Sequence, residues 1–293
     1  MNGILIVDKP KQYTSQDVCS KVKKIYGTKV GHTGTLDPMA TGVLPLLLGD
    51  GTKLSEYLTN HDKTYEAVLK LGVQTDTLDS EGQVVEKQEV PENSVNIEKI
   101  QEVLKECTGK QVQTPPIYSA IKVNGKKLYE YARTGKKVEI PQRMIEIYTM
   151  ELLEINQVEK EVRFKVACSK GTYIRTLCET IAQKLGTIGY MKELKRMRVG
   201  EFTLSQAITI EELEKNKENR EFLAKRVITI PKFFENSPTI TLNEYKLNLF
   251  LNGVQLTRNE LDGIYQIQSE NGKWIGIGVV TNSLLKRKLI SKD

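Results

Sequence analysis

The segment Gly31–Pro45 (GHTGTLDPMATGVLP) holds a single carboxylate, Asp37, set directly before a proline. The pre-proline position is biased to extended backbone, so the Asp37 side chain is presented from a restricted frame. Glycines at 31, 34 and 42 permit close approach by something else. An isolated Asp-Pro would read as an Asx-type turn. The glycine-rich surroundings suggest instead a reactive carboxylate in a loop that clasps a ligand. Other chemistries lack their residues. Gly42 precedes Val43, so no Walker loop is present, and no G-x-G-x-x-G opens a helix. No serine stands in G-x-S-x-G, and neither His32 nor His61 has a nucleophile beside it. Cys19, Cys107, Cys168 and Cys178 form no C-x-x-C pair and read as buried free thiols. So few soft ligands argue against a zinc or iron site, and no metal is expected. An enzyme built on this chain must lean on carboxylate, Tyr, Arg or Lys.

These residues need a scaffold. Gly3–Val7 reads as a short buried strand, followed by a helix capped by Thr14 or Ser15 and stopped by Gly27. Gly31–Gly51 reads as a structured loop feeding a buried segment. Thr64–Leu71 alternates as a strand, and Ile97–Cys107 places its apolar residues on one helical face. Asn124-Gly125 signals a hairpin. Met144–Ile155 and Val162–Cys168 read as a strand pair, and Thr172–Leu185 as a helix ended by Gly186. Glu211–Arg226 is charged and helical in character. Asn236-Ser237-Pro238 marks a boundary, after which short strand-like runs form a small β-rich module.

The chain has 293 residues, with 27% charged and 39% apolar residues. That fits a globular protein of one large and one small unit. No apolar stretch approaches a membrane span and no signal segment opens the chain, so the expected place is the cytoplasm, with no membrane partner. The net charge of +6 is uneven. Lys110–Arg143 carries eight basic and two acidic residues, and Arg163–Arg198 nine and two. Two basic stretches suggest a face for a polyanion, the alternative being an ordinary solvated surface.

Six ordered blocks then carry a resemblance. They are Val7-Asp-Lys-Pro10 with Tyr13-Thr-Ser15, His32–Pro45, and Lys63-Thr-Tyr65 with Leu71-Gly72, Thr75-Asp-Thr77 and Asp79. After them come Thr114–Tyr129, Cys168-Ser-Lys-Gly-Thr-Tyr173-Ile-Arg175, and Leu194-Lys-Arg196 with Val199-Gly200-Glu-Phe202. Together they resemble the TruB family of bacterial tRNA pseudouridine-55 synthases. The resemblance implies an α/β (α+β) catalytic domain over 1–236, built on a mixed, largely antiparallel sheet, with an RNA-gripping insertion at 110–143. It implies a PUA-like module at 239–293. It places Asp37 on the catalytic aspartate, Tyr65 on the tyrosine that stacks on the target base, and Tyr173 and Arg175 on the pair beside the aspartate. Leu194 falls on an apolar wall of the base pocket, and His32 on a histidine that fills the space left by the flipped nucleotide. Leu194-Lys195-Arg196 departs from the commoner Arg-Arg pair but keeps the charge.

The residue chemistry agrees. A uridine inside a folded loop must be flipped out to react, and an aromatic ring such as Tyr65 can stack on it. Without the resemblance Tyr65 would read as a strand residue packed in a core. Arg175, if within ~4–6 Å of Asp37, would favour the charged carboxylate and lower its pKa. The reaction the resemblance implies is an isomerisation, which needs no cofactor. Lys122, Lys126, Lys127, Arg133 and Arg196 are the expected RNA contacts, with the tRNA T stem-loop as partner. The chain is expected to act as a monomer with no obligate protein partner. A synthase of another branch acting on ribosomal RNA, and a non-catalytic chaperone that remodels tRNA, are the competing readings. The Thr114–Tyr129 block speaks against the first and the intact Asp37, Tyr65 and Arg175 set against the second.

Overall fold

A computed structural model describes residues 1–91 and 95–291. The largest sheet runs in the order Ile208–Thr209, Gly3–Lys9, Thr41–Leu48, Gly189–Val199, Lys63–Leu71, Glu161–Cys168, Arg143–Asn156, Gly109–Gln113. Its neighbours are antiparallel except at two places. Gly3–Lys9 runs parallel to Ile208–Thr209, and Gly189–Val199 runs parallel to Thr41–Leu48. The sheet is therefore mixed and largely antiparallel, as the resemblance implies.

Alternation in Gly3–Lys9 serves two cores at once. Leu5 and Val7 pack on the helix Ser15–Tyr26 through Val18, Cys19 and Val22. Ile4 and Ile6 face the opposite side, among Leu47, Leu54 and Phe202. Thr14, not Ser15, caps that helix. It accepts from the Asp17 amide while Asp17 reaches back to the Thr14 amide, and Gly27 ends the helix in the left-handed region at φ +65°. The helices Ile97–Glu106 and Ile174–Lys184 cover the other half of the sheet. They bury Ile100, Val103, Leu104, Leu177, Cys178 and Ile181 against Leu69, Val162 and Phe164. Each fully buried Leu or Ile of this kind contributes roughly 1.5–3 kcal/mol. All four cysteines are buried and free.

The helical stretch expected at Glu211–Arg226 is two short helices, Ile210–Lys215 and Arg220–Lys225. Asn219 breaks the run because its side chain accepts from the Phe222 amide and starts a new helix. After Pro238 a five-stranded sheet forms in the order Thr239–Leu242, Gly263–Ser269, Trp274–Thr281, Leu284–Ile290, Leu256–Thr257. It has its own core around Leu242, Phe250 and Ile267. It is not free of the larger sheet, because its Ile277 and Leu289 share a core with Ile4, Leu47 and Phe234. No helix among the described residues is long and apolar enough to cross a membrane.

Candidate active site

Asp37 sits in the turn between the strands Val30–His32 and Thr41–Leu48, where the Ala40 amide donates to its carbonyl at 3.0 Å. The loop is held from three sides. Ser15 Oγ accepts from the Leu36 amide at 2.9 Å and donates to the Leu36 carbonyl at 3.2 Å. Lys9, fully buried, donates to the carbonyls of Pro10, Tyr13 and Pro38 at 3.0, 2.5 and 3.1 Å. Burial pulls its ammonium down to about 8, with Asp37 acting in opposition. Arg196 donates to the carbonyls of Val43 at 2.7 Å and Gly34 at 3.1 Å. Gly42 has φ +106°, and a Cβ there would lie 2.2 Å from the Arg196 carbonyl, so only glycine lets the two strands meet beside the loop.

Arg175, the second residue of the helix Ile174–Lys184, faces the Asp37 carboxylate. Its Nε lies 3.2 Å from Asp37 Oδ2, and its Nη2 3.5 Å from Oδ1. The same guanidinium pairs through Nη1 with Asp79 Oδ2 at 3.2 Å and donates to the carbonyls of Thr77 and Tyr118 at 3.1 and 2.9 Å. The Arg175 and Asp79 side chains are almost wholly buried, whereas a third of the Asp37 side chain stays open. Burial raises the Asp37 carboxyl above its ordinary value; Arg175 opposes this and Asp79 adds to it. The lowered value expected from Arg175 alone is corrected on this point. Desolvation outweighs a guanidinium that is shared between two carboxylates.

Asp37 and Arg175 open into a cavity of about 490 Å³, whose lining includes Lys63, Tyr65, Tyr118, Tyr129, Lys170, Tyr173, Leu194 and Arg196. The structure thus brings Asp37, Tyr65, Tyr173, Arg175 and Leu194 to one site. Tyr65 lies directly across the strand pair from Arg196, with Leu194 two residues earlier on the same face. Burial raises the Tyr65 hydroxyl, opposed by the hydrogen-bonded Arg196 guanidinium. The Arg143 guanidinium lies 5.5 Å from the centre of the Tyr173 ring. His32 is half-buried on the strand behind the loop, one residue before the lining begins, and its buried Nδ1 has no partner.

The expected RNA contacts divide. Lys122, Lys126 and Arg133 are exposed on a small hairpin and the helix Leu128–Arg133, where Asn124 and Gly125 turn with φ +51° and +80°. Lys127 and Arg133 each lie 5.3 Å from the Tyr129 ring, which lines the cavity. Arg196 is corrected. It is 1% exposed and donates to the carbonyls of Val43 and Gly34, so it braces the Asp37 loop from inside instead of standing on the surface. Asp79 and Lys9 stand in the quoted blocks without a role; the contacts of Asp79 with Arg175 and of Lys9 with Pro38 join residues far apart in sequence.

Two family models match the chain. The TruB family pseudouridylate synthase N-terminal domain matches residues 22–174, and the tRNA pseudouridylate synthase B C-terminal domain matches residues 175–230. The tRNA pseudouridine synthase B of Aquifex aeolicus is 40% identical over 291 residues, 98% of this chain and 99% of that protein. The protein of that name from Caldanaerobacter subterraneus subsp. tengcongensis is 42% identical, covering 98% of each chain. A chain from the crystal structure of a Cbf5-Nop10-Gar1 complex superposes with a TM-score of 0.69 at 26% identity, over 99% of this chain and 84% of that one. Matched over more than half its length by one family model and aligned nearly end to end with such relatives, the chain belongs to the TruB family of pseudouridylate synthases.

Proposed function

We propose that the chain converts the uridine at position 55, in the T loop of tRNA, to pseudouridine, with Asp37 as the catalytic carboxylate. The observation that carries this is the partly open Asp37 carboxylate held by Arg175 at 3.2 Å in a cavity that Tyr65 and Leu194 also line. A nucleotide flipped out of the loop enters that cavity and stacks on Tyr65. The N1–C1′ bond then breaks, the uracil turns, a C5–C1′ bond forms, and C5 gives up its proton while N1 gains one. Asp37 in its ionised form attacks the nucleotide, at C1′ of the ribose or at C6 of the base, or stabilises a cationic sugar. Tyr173, Arg175 and Leu194 shape and charge the pocket, and His32 fills space behind the loop.

In this reading residues 1–236 are the catalytic unit, 110–143 the arm that grips the T stem-loop, and 239–293 a PUA-like module. The protein works as a monomer without cofactor. The exposed cations Lys122, Lys126 and Arg133 offer a grip on RNA that does not depend on the Asp37 carboxylate, which supports a second role: remodelling tRNA without turnover. Mapping the modified nucleotide in tRNA transcripts treated with the purified protein tests the assignment. Pseudouridine at position 55, lost with Asp37→Asn, is the expected result; modification elsewhere overturns the substrate reading.

A further inference from the structure

The arm leaves the main sheet after Gln113 and re-enters it at Arg143, and these two residues are direct cross-strand partners. Both hold Tyr173. The Gln113 side-chain oxygen accepts from the Tyr173 amide at 2.8 Å, and its amide nitrogen donates to the Tyr173 carbonyl at 3.0 Å. This side chain closes on the Tyr173 backbone as a neighbouring strand would. Arg143 lies over the Tyr173 ring. Tyr173 is the residue at which the helix bearing Arg175 begins, and its own side chain makes no capping bond there. Gln113 is 6% exposed, so neither of its bonds is readily replaced by water. Beyond the root, the Tyr118 carbonyl of the arm accepts from Arg175.

We infer that Gln113 and Arg143 are positioning residues, which tie the root of the arm to Tyr173 and thereby set where Arg175 meets Asp37. The inference rests on the reading of Asp37 and Arg175 as the reacting site. Gripping RNA and aligning the carboxylate are then one mechanical act. The arm cannot shift at its root without moving the helix start that carries Arg175.

The test uses the full chain, a T stem-loop labelled with tritium at C5 of uridine, and excess enzyme. Single-turnover release is followed across pH, with RNA affinity on the same preparations. Gln113→Leu removes both bonds to Tyr173. A displacement of the catalytic groups by about 1 Å costs up to ~100-fold in rate, so a loss of ~10–100-fold with RNA affinity within about twofold is expected. The acid limb of its rate profile should move to higher pH, because a loosened Arg175 opposes the raised Asp37 carboxyl less. Gln113→Glu keeps the acceptor for the Tyr173 amide and should fall between Gln113→Leu and the unaltered chain. Arg143→Met removes the cation over the ring while leaving Gln113 in place, and should lower the rate with an unchanged acid limb. It and Gln113→Glu decide the matter if Gln113→Leu fails to fold. Unaltered rates and acid limbs in the folded variants, or a rate loss matched by lost RNA affinity, overturn the inference. Asp37→Asn run alongside separates the two ideas: activity surviving there sinks the underlying assignment, whereas activity surviving only in the Gln113 and Arg143 variants sinks this one.

Discussion

Arg175 meets Asp79 at 3.2 Å with both side chains almost wholly buried, and so divides between two carboxylates a charge that Asp37 also needs. The negative charge of Asp79 helps keep the Asp37 carboxyl raised. Asp79→Asn should let that carboxyl fall, moving the acid limb of the single-turnover profile to lower pH. The guanidinium keeps Asp37 and the carbonyls of Thr77 and Tyr118, so the stability cost should stay near ~1–3 kcal/mol. A limb that moves upward or stays in place contradicts this electrostatic account.

Asp37→Asn should abolish turnover while making the fold more stable at neutral pH. The folded-state carboxyl is raised above its ordinary value by burial. Wild-type stability therefore falls as pH rises through that raised value, and the full cost stands above it. An amide carries no such cost, and Arg175 retains its other partners. Thermal melts should show the variant ahead at pH 7, with the gap closing as the pH drops to the ordinary carboxyl range. Turnover within about tenfold of wild type, a barrier change of only ~1.4 kcal/mol, would sink the catalytic assignment.

Arg196→Met separates a buried brace from a phosphate contact. Two carbonyls lose their donor, so stability should drop by on the order of 3 kcal/mol. The slope of log affinity against log salt should be unchanged, since no phosphate contact is lost. A flatter slope with intact stability would restore the surface role.

Replacing Lys126, Lys127 and Arg133 together by Gln should have the opposite signature. Each lost phosphate contact removes about 0.7–0.9 from the salt slope. The unfolding temperature should hardly move, because these side chains lie at the surface or only partly buried. An unaltered slope measured by filter binding would show that the arm does not meet the RNA backbone.

Ordered blocks made much of this site legible in the sequence. Asp37, Tyr65, Tyr173, Arg175 and Leu194 do line one cavity. The place of Arg196 becomes legible only once Leu194-Lys195-Arg196 is taken as part of a strand. Period-two alternation puts Leu194 and Arg196 on the buried face and Lys195 outside, as their burial shows. The sign of the Arg175 effect on Asp37 was readable, but its balance against burial was not, because that depends on how much water the folded loop excludes. Gln113 gave no local signal, since its partner Tyr173 lies 60 residues away. The helical character expected at Glu211–Arg226 holds, but it falls in two pieces because Asn219 starts a new helix.

The core shared by the two sheets also sets an order of events during synthesis. Ile4 and Ile6 are made well ahead of Ile277 and Leu289, which share their core. At ~5–20 residues per second, one side of that strand waits roughly 15–60 s for its final neighbours. Until then that side of the strand is an incomplete apolar surface, and Ile277 and Leu289 serve as its closure.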